Sequence, residues 1–290
     1  MNETHSLVAQ ICRPHRAISE CAFTFAELLV LLAVVAALAA TLLPAMAKSR
    51  PNVQAFQCLN NHRKLCGAWR MYADDSHDRI VYASDDGTGS SNPLNEYAWT
   101  LSYLDFSSNS KNWDTNVDIV QRPLWPYTGK DASIYRCPSD KSFVVVGQES
   151  KPRVRSMSLN FYLGGYAGSD LGVASTYRLF LKTTDLTAPG PPKTFVMLDR
   201  RQDDIIGGAF TTDMTGYPTN SSQYRFSGLP GLYHNLGCTF SFADGRAEIK
   251  CWRDPRTTPP LQYGAGINDS FASPRNQDVA WLQDHATRPK

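Results

Sequence analysis

The side chains of this 290-residue chain that could carry chemistry are its seven cysteines, its six histidines and several pairs of carboxylates. His234 stands nine residues before Asp244-Gly245. An imidazole and a carboxylate are the parts of an acid–base pair or of a metal site. Asp244 has a simpler use, because a tight turn needs a residue that tolerates positive φ. His234 then reads as a group that caps or hydrogen-bonds the loop entering that turn. No Cys-x-x-Cys or His-x-x-x-His spacing occurs, so zinc held through cysteine is not expected. The acidic clusters Asp74/Asp75/Asp78, Asp85/Asp86 and Asp203/Asp204 offer oxygen ligands for calcium but lack the ordered spacing of a dedicated loop. Solvated surface is the expectation there, with calcium as the lesser alternative. Gly228, Gly231 and Gly237 are spaced wrongly for a phosphate loop or a nucleophile elbow. The reading is therefore of no catalytic residue, no resident metal and no cofactor.

The element that must place Asp244 is a hairpin. Cys238–Ala243 alternates with period two, Asp244-Gly245 is the favoured two-residue turn, and Arg246–Trp252 alternates again. That register sets Phe242 opposite Ala247, Phe240 opposite Ile249 and Cys238 opposite Cys251, all on one core face. Non-hydrogen-bonded pairs have Cα atoms about 4.5 Å apart, within disulfide geometry. A cross-strand bridge Cys238–Cys251 is expected, against two small buried thiols. Cys58 and Cys66 are too far apart on one helix to pair, at about 12 Å. Cys58 with Cys137 is a further pairing, leaving Cys66 single.

Val53, Phe56, Leu59, Leu65, Trp69 and Tyr72 approximate a helical stripe, so residues 48–75 are read as helix. Residues 84–130 are rich in Ser, Asn, Asp and Gly, with scattered aromatics, and read as long loops pinned by buried rings. Strands are expected at Ser142–Gly147, Arg155–Tyr162 and Thr194–Leu198, and more weakly at Tyr177–Leu181. Residues 253–290 are polar and broken by Pro and Gly, which predicts an irregular surface tail.

The N-terminal part has a different character. From Leu28 to Ala47 there are 20 residues without a charge, headed by one carboxylate, Glu27. That length approaches what one helix needs to cross a bilayer, at about 1.5 Å per residue over roughly 30 Å. A carboxylate at the edge of such a span costs up to about 3 kcal/mol unless it finds a partner. Ala33/Ala37 and Ala36/Ala40 put small residues at i, i+4, where helices can approach closely. Pro44 removes one helical hydrogen bond and predicts a kink. The net charge is +2 with no basic block, so nucleic acid is not an expected partner.

The segment Ala22-Phe23-Thr24-Phe25-Ala26-Glu27, with its short polar leader and Pro44 late in the apolar run, resembles the type IV prepilin N-terminus shared by pilins and type II secretion pseudopilins. The resemblance implies cleavage after Ala22 by a prepilin peptidase, N-methylation of Phe23, and pairing of Glu27 with the N-terminal amine of a neighbouring subunit. Ala22 stands where that family usually has Gly. Cys58-Leu59-Asn60-Asn61, Tyr135-Arg136-Cys137-Pro138-Ser139-Asp140, Ser156-Met157-Ser158-Leu159-Asn160 and His234 with Asp244-Gly245 are similar to a prepilin-like subgroup abundant in planctomycete and verrucomicrobial genomes.

The expected fold is α+β and pilin-like: a long N-terminal helix, membrane-spanning in its first half, packed on an antiparallel sheet with long loops. The expected organisation is a leader at 1–22, a membrane-spanning stem at 23–47, its soluble continuation at 48–75, a β-rich domain at 76–252 and the tail at 253–290. The implied function is a structural subunit of a pilus-like or pseudopilus filament, anchored in a bacterial inner membrane by a single pass, with its β domain periplasmic or extracellular. Its partners would be the peptidase, the membrane and other such subunits. The alternative is a membrane-tethered extracytoplasmic domain that binds a ligand such as carbohydrate or performs hydrolysis.

Overall fold

The computed structural model describes residues 25–101, 103–172 and 175–290, and at 39–50 and residue 90 the backbone alone. The chain divides into two compact units, Met1–Ser49 and Arg50–Lys290. Helix α1 is Phe25–Asp75.

In the first unit, residues 25–38 are apolar apart from Glu27, and every one of them is exposed. In the second unit, α1 buries one stripe: Cys58, His62, Leu65, Cys66, Trp69 and Ala73. These positions recur every three or four residues, the spacing that keeps them on one face. The helix ends where His77 and Asp78 turn left-handed, at φ 57° and 66°. There the Asp78 N–H reaches back to the Ala73 carbonyl at 2.9 Å and satisfies one of the last helical carbonyls.

Between Gly89 and Tyr135 the chain runs through short 3-10 turns. Asn92, Asn109, Asp114 and Asp131 each accept a backbone N–H at the start of one. Trp99 pins this region: it is fully buried, donates to the carbonyls of Ala83 and Gly208, and stacks on Tyr135.

Among the described residues nine strands follow: β1 (Phe143–Val146), β2 (Glu149–Pro152), β3 (Met157–Asn160), β4 (Phe195–Asp199), β5 (Ala209–Phe210), β6 (Arg225–Ser227), β7 (Gly237–Phe242), β8 (Ala247–Cys251) and β9 (Ser270–Ala272). The central sheet has the order β5-β3-β4-β7-β8, while β1-β2 and β6-β9 form separate two-stranded ribbons. Strands β3, β4 and β7 are buried along their whole length, as expected of strands covered on both faces. On β7, Phe240 and Phe242 pack edge-on against Trp281 of α2 (Gln277–Ala286). The alternating residues Thr239 and Ser241 lie beside Cys58 and Cys66 of α1. Small side chains on that face let the helix come close to the sheet.

Two findings correct the expected fold. Among the described residues no helix is long and apolar enough to cross a membrane. The same finding corrects the single-pass placement in an inner membrane and the reading of this segment as a transmembrane, prepilin-type anchor. The sheet, moreover, is mixed rather than antiparallel, because β3 and β5 run parallel.

The tail is corrected as well. Residues 253–290 contain β9 and α2, and Val279, Leu282 and Ala286 of α2 are buried. Asn276 caps α2 by accepting from the N–H groups of Asp278 and Val279. No named strand forms at Tyr177–Leu181, where only isolated bridges to Leu163 and Pro289 occur.

The hairpin β7–β8 differs by one residue of register. Cys238 pairs with Lys250, and Gly237 with Cys251. The loop has three residues, Ala243-Asp244-Gly245, closed by the Phe242 N–H on the Arg246 carbonyl at 2.9 Å. Gly245 alone takes the positive φ, at 96°, which is the usual build of a three-residue hairpin loop. A one-residue slip turns each side chain of the second strand to the opposite face. Cys238 is therefore buried while Cys251 is exposed, and both are free thiols. The expected Cys238–Cys251 bridge does not form.

Candidate functional site

Four elements of the second unit converge on one buried cluster. Cys58 and His62 are one helical turn apart on the inner face of α1. Cys137 follows the 3-10 turn Ala132–Tyr135, and its N–H donates to Ser156 Oγ at 2.7 Å. Asp199 is the last residue of β4. His234 stands three residues before Gly237, the first residue of β7, in a turn closed by reciprocal backbone bonds between His234 and Gly237 and by left-handed Asn235 and Leu236.

One donor atom from each of Cys58, Cys137, Asp199 and His234 lies within 4.8 Å of the other three, and all four residues are buried. Cys58 Sγ donates to Asp199 Oδ2 at 3.1 Å. Cys137 Sγ lies 3.3 Å from His234 Nε2, which is 3.8 Å from Asp199 Oδ2. His62 Nε2 stands 3.3 Å from the other carboxylate oxygen, Oδ1, and both residues are completely buried. From the sheet side Cys238 Sγ donates to the Asp199 carbonyl at 3.0 Å. The site includes two sulfurs, an imidazole nitrogen and a carboxylate oxygen, a set that suits a tetrahedral divalent metal.

The electrostatics follow from burial. Loss of hydration raises the thiols of Cys58 and Cys137 and lowers the imidazole of His234. Burial also opposes ionisation of Asp199, but the adjoining His62, with Cys58 and His234, outweighs it and holds the carboxyl below its usual range.

Of the residues singled out from sequence, His234 alone of the motif reaches this cluster. Asp244 and Gly245 sit at the hairpin tip, where Asp244 Oδ1 accepts the Arg246 N–H at 3.1 Å and the Asp244 carbonyl accepts Arg70 Nη1 at 3.1 Å. The cluster draws its side chains from four separate stretches, an arrangement that no short cysteine or histidine spacing marks in the sequence. Cys58 and Cys137 are free thiols rather than a disulfide. Asp199 and His62 were not anticipated. Asp203 and Asp204, candidates for calcium, are each bonded to a buried arginine, Arg201 and Arg200. Ala22 and Phe23 lie outside the described residues, and Pro44 falls in the stretch of α1 whose side chains are not described.

A second candidate surface belongs to the first unit. Phe25, Leu28, Leu29, Val30, Leu31, Leu32, Val34, Val35 and Leu38 are exposed on α1, from 45% at Leu28 to 75% at Phe25, and they surround the helix rather than line one side of it. Glu27 occupies the first turn, where a carboxylate meets the positive end of the helix dipole.

No family model matches the chain, and no curated protein or solved structure matches it.

Proposed function

We propose that the protein is a structural subunit that assembles with further copies of its own kind into a filament through residues 25–38 of α1. Its work is mechanical and not catalytic. The observation that carries this reading is the exposure of nine large apolar side chains around the whole circumference of that helix. A helix apolar on every side is one that ends up enclosed. Burying each such side chain is worth about 1.5–3 kcal/mol, so the run supplies on the order of 10 kcal/mol or more. That is comparable with the roughly 4–15 kcal/mol cost of immobilising a partner, and enclosure on all sides calls for several neighbours. Ala33 and Ala37 give a face on which two helices can approach closely. Glu27, the one charge in the run, fixes the stagger between neighbours.

Sedimentation and electron microscopy of the full chain test this. Large, ordered species are expected for the unaltered protein, with only small species for Leu31→Asp/Val35→Asp and irregular ones for Glu27→Leu. A monodisperse monomer over a wide concentration range overturns the proposal.

A further inference from the structure

The geometry points to a closed structural zinc site formed by Cys58 Sγ, Cys137 Sγ, His234 Nε2 and Asp199 Oδ2. It rests on observations separate from those behind the assembly surface. In a tetrahedral site with zinc–sulfur distances of about 2.3 Å and zinc–nitrogen or zinc–oxygen distances of about 2.0–2.1 Å, neighbouring donors stand roughly 3.3–3.8 Å apart. The contacts here of 3.1, 3.3 and 3.8 Å already trace edges of such a figure, and the widest separation is within 4.8 Å. Closing the cluster onto an ion takes shifts of no more than about 1 Å.

Hydrogen bonding alone leaves this group poorly satisfied. His62 Nδ1 has no hydrogen-bond partner among the described residues although the residue is fully buried, and Asp199 Oδ1 faces His62 Nε2 at 3.3 Å as an ion-pair contact rather than a well-aligned hydrogen bond. Native interiors rarely leave such atoms unpaired without a reason. A cation on Oδ2 draws the carboxylate into the cluster, and His62 Nε2 then holds Oδ1 as the oriented partner that metal-bound carboxylates usually have. Four protein donors with no exposed position describe a site that holds the fold together rather than one that turns over substrate. A cavity of about 360 Å³ includes Asn61, Arg136, Cys137 and Asp140 in its wall.

Binding releases two protons. Cys58 and Cys137 enter as thiols and coordinate as thiolates, while Asp199 is already a carboxylate and His234 is already neutral. Zinc keeps its charge of about 2+ throughout, and no oxidant or reductant is needed.

The test is elemental analysis of the full chain after dialysis, then chelation and refilling with cobalt. One zinc per chain is expected, with a thiolate-to-cobalt charge-transfer band after refilling. Cys58→Ser/Cys137→Ser should lose both signals, and Cys66→Ser, which removes a buried thiol outside the cluster, should keep both. A cobalt-filled chain without the charge-transfer band overturns the proposal whether or not the double variant folds. So does zinc retained in full by the folded double variant, or a Cys58–Cys137 disulfide found in the unaltered chain by mass spectrometry.

Discussion

Asp199 shows how much one buried carboxylate can organise. It ties α1 to β4 through Cys58 and His62, and to the start of β7 through His234 and Cys238. Its neighbours Arg201 and Asp203 form a separate, fully buried pair with two contacts, at 2.5 and 2.8 Å. Removing one partner of such a pair strands the other, at about 3–5 kcal/mol. Arg201→Met should therefore lower stability by that order in denaturant titrations, and Arg201→Met/Asp203→Leu should recover part of it.

A pH dependence follows from Asp269. Burial, then a hydrogen bond and charge shared with Asp204, push its carboxyl up to about 6, with Arg200 acting in the opposite sense. A folded value above the unfolded one of about 3.9 means that the contribution is full below about pH 4 and fades as pH rises through about 6. Asp269 is partly solvated, so solvent screening leaves about 1 kcal/mol. The thermal midpoint of Asp269→Asn should lack the decline between about pH 4 and 6 that the unaltered chain shows.

At the scale of elements, the hairpin is instructive. Alternation and the Asp-Gly pair locate both strands, but a two-residue and a three-residue loop are equally compatible with that pattern. Gly245 at φ 96° decides it, because the left-handed residue follows Asp244 rather than including it. Gly245→Ala should cost about 1–2 kcal/mol, read as a lower midpoint in urea with an unchanged slope.

Three central strands were legible as short apolar or alternating runs, whereas of the expected α1 stripe Leu65 and Trp69 are buried and Val53 and Phe56 are exposed. Helix α2 was hidden: its buried Val279, Leu282 and Ala286 are only three positions in a polar stretch. The site was legible in part. His234, Cys58 and Cys137 stand out by type, whereas their meeting depends on tertiary placement. Two signals pointed further. Cys58 and His62 share a helix face, and Asp199 ends an apolar run, where a carboxylate must find partners.

At the scale of the molecule, the apolar run and the cluster around Asp199 lie in different compact units. They should respond independently. Cys58→Ser/Cys137→Ser should still form large species when folded, and Leu31→Asp/Val35→Asp should still hold one zinc per chain. Elemental analysis and sedimentation on the same preparations would check both.

The slipped register also leaves a practical handle. Among the described residues Cys251 is the one cysteine open to solvent. A maleimide dye should couple there under native conditions while the four enclosed sulfhydryls stay unreacted. Material stored in air should accumulate covalent dimers linked through that sulfur at the end of β8, and a reducing agent should dissolve them. The attached fluorophore, far in sequence from residues 25–38, would then report by energy transfer how closely neighbouring globular units approach as chains gather.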